Sequence, residues 1–112
     1  MNAMPHMEEI CRRVVAAYRK AYGDDIEAIY LYGSYARGDY DEESDIDFAA
    51  IVKGNQFDLR KKRGQLLHEV AEMDMEYDVF TSPKVIPADL FNKYKTESGY
   101  YKNIRKEGIR LE

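Results

Sequence analysis

Residues 26–52 constrain this chain more than any other stretch. Ile26-Glu27-Ala28-Ile29-Tyr30-Leu31-Tyr32 is almost continuously apolar and rich in residues that favour extended backbone. Seven such residues bounded by glycine read as a strand covered on both faces. Gly33-Ser34 then opens a turn, and a polar stretch runs through Tyr35-Ala36-Arg37-Gly38 to Ser44. Ser34 to Arg37 can form one short helical turn, closed by Gly38. Asp45-Ile46-Asp47 follows and leads into Phe48-Ala49-Ala50-Ile51-Val52, a second strand. Side chains alternate along a strand, so Asp45, Asp47, Ala49 and Ile51 share one face, and Ile46, Phe48, Ala50 and Val52 the other. The layout is therefore a strand, a Gly-Ser turn, a polar loop and a second strand whose first residues carry acid.

The flanking segments supply the helices. Over 7–22, Ile10, Val14, Tyr18 and Tyr22 recur every four residues, and Cys11, Val15 and Ala21 widen the stripe. Gly23 is the expected stop. A second helix is predicted over 57–73, with Leu59, Leu66, Val70 and Met73 on one side and Gly64 as a weak point. A third strand is predicted over 75–81, with Glu76, Asp78 and Phe80 on one face. Pro83 and Pro87 mark a connector. A helix starts near Pro87 with Leu90, Phe91 and Tyr94 apolar, and another runs over 98–108, burying Tyr101 and Ile104. Ile109-Arg110-Leu111 can form an edge strand.

The 112 residues suit one domain over 1–112, with 1–6 as a leader lacking any periodic pattern. The net charge is -4, without the basic excess that nucleic-acid binding calls for. No apolar run approaches the ~20 residues of a membrane-spanning helix. The N-terminus lacks the basic-then-apolar order of a signal peptide, so the expected location is cytoplasmic. Cys11 is the single cysteine and reads as a small buried residue. The basic run Arg60-Lys61-Lys62-Arg63 reads as a solvated helix face in preference to a docking patch for an acidic partner.

The spacing of the polar residues permits one kind of chemistry. Asp45 and Asp47 leave the same strand face, where their charges repel unless a cation lies between them. Magnesium suits such a pair, because it takes carboxylate oxygens and completes its shell with water and phosphate. Gly33 lets the backbone approach a phosphate, and amides at the start of a helical turn favour an anion. Asp78 has the strand parity to join the pair if its strand lies alongside, where backbones are ~4.8 Å apart. Arg37, three residues after Ser34, can contact a phosphate or pair with Asp39 or Asp41.

Gly33-Ser34, ten residues, then Asp45-Ile46-Asp47 resembles the signature of the polymerase-beta-like nucleotidyltransferase superfamily. With Ser44 before the acids and Tyr77-Asp78-Val79 after them, the chain is similar to the minimal branch, the MNT proteins. Ile104-Arg105-Lys106-Glu107-Gly108 resembles that branch's closing stretch. The resemblance implies an α/β (α+β) fold in which helices pack on a small mixed β-sheet. It implies that Asp45 and Asp47 bind two Mg2+ ions, with Mn2+ an alternative, and that Asp78 is the third carboxylate. It assigns Gly33 and Ser34 to the nucleotide's phosphates, ATP as donor and AMP as the transferred group. Minimal proteins of this kind resemble the antitoxins of HEPN/MNT toxin–antitoxin pairs, whose acceptor is a tyrosine of the HEPN toxin. A chain of this size has little room for an acceptor pocket of its own, which fits an acceptor on a partner. Two alternatives stand beside it: an antitoxin that blocks its partner stoichiometrically, and an enzyme that adenylylates a small molecule. The net acidic charge disfavours RNA tailing. Ten tyrosines suit an interface, although Tyr18, Tyr22 and Tyr30 fit core or sheet positions better.

Overall fold

In the computed structural model, which describes residues 6–112, the four-residue apolar period of the N-terminal segment forms α1 (Met7–Tyr22). It buries Ile10, Val14, Ala17, Tyr18, Ala21 and Tyr22. Glu8 and Glu9 lie in its first turn and Arg19 and Lys20 in its last, as the helix dipole favours. Gly23 ends it at φ 58°, donating its amide to the Arg19 carbonyl. The leader expected over 1–6 lies outside the described residues except for His6. Then come β1 (Ile26–Tyr32), α2 (Ser34–Arg37), β2 (Ile46–Val52), α3 (Gln56–Lys61), α4 (Arg63–Tyr77), β3 (Thr81–Pro87), α5 (Ala88–Tyr94), α6 (Gly99–Glu107) and β4 (Ile109–Arg110).

The sheet has the order β3-β2-β1-β4, with β2 and β3 parallel and the other pairs antiparallel, so it is mixed, as the family resemblance implies. The parity read along β2 holds. Ile46, Phe48, Ala50 and Val52 join the core that α1 and α4 cover with Ile10, Val14, Leu66, Val70 and Met73. Ala49 and Ile51 face the other way, with Tyr30 of β1, Phe91 of α5 and Ile104 of α6. Tyr18, Tyr22 and Tyr30 are buried, as expected. Cys11 is only half-buried, and burial raises its thiol pKa.

Two elements differ from the sequence reading. The helix over 57–73 is two helices that meet at Lys62. Asn55 starts α3 by accepting the Asp58 amide on its side chain (2.9 Å). An Asn55→Ala variant is expected to lose about 1 kcal/mol, read as a lower urea midpoint. The second helix then continues past Met73 to Tyr77, through Met75 and Glu76, which the sequence reading placed in a strand. Leu66, Val70 and Met73 set a helical period that Tyr77 continues, and the short alternation over 75–81 satisfies both periods. Glu76 lies exposed on α4, paired with Arg13.

The third strand begins at Thr81 and takes in Pro83 and Pro87, which the sequence reading assigned to a connector. Proline is tolerated there because β3 is an edge strand, where a missing amide need not break the ladder. The Tyr18 hydroxyl donates to the Lys84 carbonyl at 2.8 Å. Arg60, Lys61, Lys62 and Arg63 are all exposed, in line with a solvated face. Among the described residues no helix is long and apolar enough to cross a membrane.

Candidate active site

The site is built at the end of β1. After Tyr32 the backbone turns at Gly33, with φ 74° and ψ -153°, and enters α2. The amides of Ala36 and Arg37 donate to the Gly33 carbonyl, each at 3.1 Å, and those of Gly38 and Asp39 to the Ser34 carbonyl, at 2.9 and 3.1 Å. Gly38, at φ 85°, closes the turn as expected. Directly across the sheet, Asp47 is the register partner of Tyr32. Its carboxylate therefore stands against the bare Cα of Gly33. A Cβ there would collide with Asp47 Oδ2 and lie 3.3 Å from Asp47 Cγ. The glycine and the second aspartate of the pair thus form one contact.

The polar loop delivers Asp45. Within it, the Glu43 amide donates to Asp41 Oδ1 (2.9 Å), the Asp41 amide to Ser44 Oγ (3.0 Å) and the Ser44 hydroxyl to Asp41 Oδ1 (3.2 Å). The rings of Tyr35 and Tyr40 stack at 4.1 Å and 8°. Asp45 is exposed just ahead of Ile46, whose amide donates to the Phe80 carbonyl at 2.9 Å.

The electrostatics favour a cation. Burial raises the Asp47 carboxyl pKa, and the Asp45 charge raises it further; Lys84 and Arg37 oppose this without cancelling it. Two acidic groups held together, one of them partly desolvated, form a site that a positive ion relieves. The donors are all oxygen, so the pair fits Mg2+, which is commonly held by one or two carboxylates with water and substrate phosphates completing its shell. Among the described residues no three His, Cys, Asp or Glu side chains gather into a ready-made metal cage.

Gly33, Ser34 and Arg37 stand on one turn and Asp45 and Asp47 at the entry to β2, while Asp78 lies off the sheet. Asp78 stands exposed at the end of α4, in the left-handed conformation (φ 53°), donating its amide to the Asp74 carbonyl. Aspartate tolerates that conformation better than most residues. The reason it misses the strand is the helix that runs on to Tyr77. Arg37, left open between a phosphate and an ion pair, pairs with Asp39 (3.2 Å) and with Glu107 of α6 (3.7 Å).

Two residues enter that the sequence reading missed. Asp74, in the last turn of α4, accepts the Thr81 amide (3.1 Å) and hydroxyl (2.9 Å). Its carboxyl pKa is raised, first by burial, and the Asp45 charge adds to the shift. Only the full length of α4 reveals it. Tyr100, on α6, shares a 2.8 Å hydroxyl–hydroxyl hydrogen bond with Tyr32, the rings edge-on at 6.0 Å. Burial, that bond and the Asp47 charge together hold the Tyr32 phenol far above its ordinary pKa.

Residues 15–111 match the family model described as "Polymerase beta, Nucleotidyltransferase". Two relatives come from Methanocaldococcus jannaschii. "Putative protein adenylyltransferase MJ0604" is 36% identical over 101 residues, spanning 90% of this chain and 93% of that protein. "Putative protein adenylyltransferase MJ0141" is 38% identical over 60 residues, or 54% of this chain, and the match spans 59% of that protein's length. Among solved structures, the toxin–antitoxin MntA-HpeT aligns with a TM-score of 0.59 at 16% identity, over 91% of this chain and 72% of that one. A toxin–antitoxin crystal structure with AMP-PNP aligns with the same score and coverage at 18% identity. At such identities the likeness speaks for the fold. By the family match over nearly its whole length, this chain belongs to the polymerase beta nucleotidyltransferase family.

Proposed function

We propose that the protein transfers AMP from ATP to a tyrosine hydroxyl of a toxin partner of HEPN type, acting as an antitoxin by adenylylation. The observation that carries this reading is the seating of the Asp47 carboxylate against Gly33, with Asp45 two residues earlier, in a chain of this family. The names of its relatives, protein adenylyltransferases, and the toxin–antitoxin structures it resembles in fold support the acceptor class.

Each residue has a role in that reaction. Gly33 and Ser34 receive the phosphates where no side chain obstructs them. Asp45 and Asp47 would hold the divalent ions, Mg2+ or Mn2+. When bound, such ions neutralise phosphate charge and make an acceptor hydroxyl more acidic. The acceptor oxygen attacks the α-phosphorus, and pyrophosphate leaves.

Asp78 is proposed as the third carboxylate. It lies two residues before Phe80, whose carbonyl already holds the start of β2, and its carboxylate has no partner among the described residues. Asp74 is bound to Thr81 and reads as a clip between α4 and β3. Asp78→Asn is expected to lower AMP transfer about 10²-fold with little change in stability. Asp74→Ala is expected to cost about 1–2 kcal/mol of stability, because charge-assisted hydrogen bonds are lost. Urea unfolding and a transfer assay run on both variants separate the two roles, and the reverse pattern would assign Asp74 to the metals.

The reading as a whole is tested with labelled ATP, Mg2+ and the protein encoded beside this one. Label on the neighbour that disappears with Asp47→Asn supports it. A tight complex without label would mean a stoichiometric antitoxin.

A further inference from the structure

We propose that Tyr100 is an acceptor within the chain itself, so that the protein adenylylates its own α6. The proposal rests on the transfer activity inferred above and extends it to a second acceptor. Three observations lead to it. Tyr32 and Asp47 are directly opposed on neighbouring strands. Tyr32 packs on the sheet face that also carries Ala49 and Ile51, so its side chain shares a face with the Asp47 carboxylate. From there its hydroxyl reaches Tyr100, at 2.8 Å.

Helix α6 is tied across this face at both ends. Tyr100 is bound to Tyr32 in the first turn, and Glu107 pairs with Arg37 of the Gly-Ser turn in the last. Close packing at Gly108 holds the same end: a Cβ there would collide with the Ile104 carbonyl and lie 3.3 Å from the Leu31 carbonyl. A phenol is therefore held on Tyr32, the residue that leads into the turn assigned to the phosphates, and it is 47% exposed. It is also the kind of acceptor that the proposed reaction uses.

The step balances as an ordinary transfer from a nucleoside triphosphate. Tyr100 Oη forms a bond to the α-phosphorus, and the bond from that phosphorus to the bridging oxygen breaks. Pyrophosphate leaves, and the phenolic proton passes to solvent. The product is a phosphodiester between Tyr100 and AMP. It adds negative charge and bulk where Tyr32 and Tyr100 meet, so the hydroxyl pair is lost.

The test is intact-mass and peptide mass spectrometry of the full chain after incubation with ATP and Mg2+, alone and over a range of protein concentrations. The expected result is one AMP adduct on Tyr100, formed at a rate independent of protein concentration. Tyr100→Phe should lower the adduct at least tenfold, and Asp47→Asn should remove it. A rate that rises with concentration, or an adduct on another residue, overturns the assignment. Thermal-shift titration with Mg-ATP separates the two levels of inference. If Mg-ATP protects the parent and fails to protect Asp47→Asn, but no adduct forms, self-modification is wrong and the nucleotide site stands. If no protection and no adduct are seen, both fall.

Discussion

Replacing Asp47 with asparagine is expected to make the metal-free protein more stable and to remove its activity. Burial and the neighbouring Asp45 raise the Asp47 carboxyl pKa, so the ionised form is a burden on the fold. Asparagine keeps the shape and drops the charge. The carboxylate is still partly solvated, so the gain is set at about 0.5 kcal/mol, or some ~2–4 °C in Tm. The sign with pH follows from proton linkage. The folded state holds the Asp47 proton to higher pH than the unfolded chain does. Stability therefore falls as pH rises through the window between the ordinary aspartate value of 3.8 and the raised folded value. The Tm advantage of Asp47→Asn should be absent well below that window and fully open above it. Adding Mg2+ with ATP at neutral pH should reverse the order, because a ligand that binds only the folded parent stabilises it by mass action. In the transfer assay the loss should be about 10³-fold, since ~4 kcal/mol of transition-state stabilisation is at stake. A variant that is no more stable than its parent at neutral pH would mean that the pair is not strained without metal.

Gly33→Ala is expected to damage fold and site together. A side chain at φ 74° is strained wherever it points, and here it also meets the Asp47 carboxylate. The combined cost is set at about 2–3 kcal/mol. Transfer should fall about 10²-fold or more beyond any loss of folded protein, because displacing a reacting group by ~1 Å has effects of that size. Gly64→Ala is the matched control. It lies in the first turn of α4 with nothing within 4 Å of the added carbon, and should stabilise by roughly 0.5–1 kcal/mol. If Gly33→Ala instead unfolds at the same urea concentration as the parent, the turn is softer than its geometry implies.

What could be read from the chain, and what could not, divides along physical lines. Residues 26–52 were legible because two unlike signals agree there. Apolar strands announce themselves by composition, and Gly33 marks the end of the first as Asp45 and Asp47 mark the start of the second. The contact between Gly33 and Asp47 then follows from antiparallel pairing. Met75 to Phe80 was misread because six residues with apolar groups at both spacings carry no period of their own. Their state is decided by Leu66, Val70 and Met73, which commit the segment to continue as helix. That single choice moved Asp78 off a strand, brought Asp74 to the start of β3 and turned Pro83 and Pro87 into strand residues. The pairs Arg37–Glu107 and Tyr32–Tyr100 join positions some 70 residues apart. No local pattern encodes such pairs; they exist only once α6 lies across the sheet.

The two margins of the sheet have a consequence for the company this protein can keep. One ends in the two residues of β4; the other is β3, which lacks amides at Pro83 and Pro87 and has its Lys84 carbonyl occupied by Tyr18. Neither offers the unbroken row of donors and acceptors that an extended peptide needs in order to add itself as a further strand. Association must then be written in side chains, and the same blunted margins guard against fibrous self-assembly when the protein is abundant.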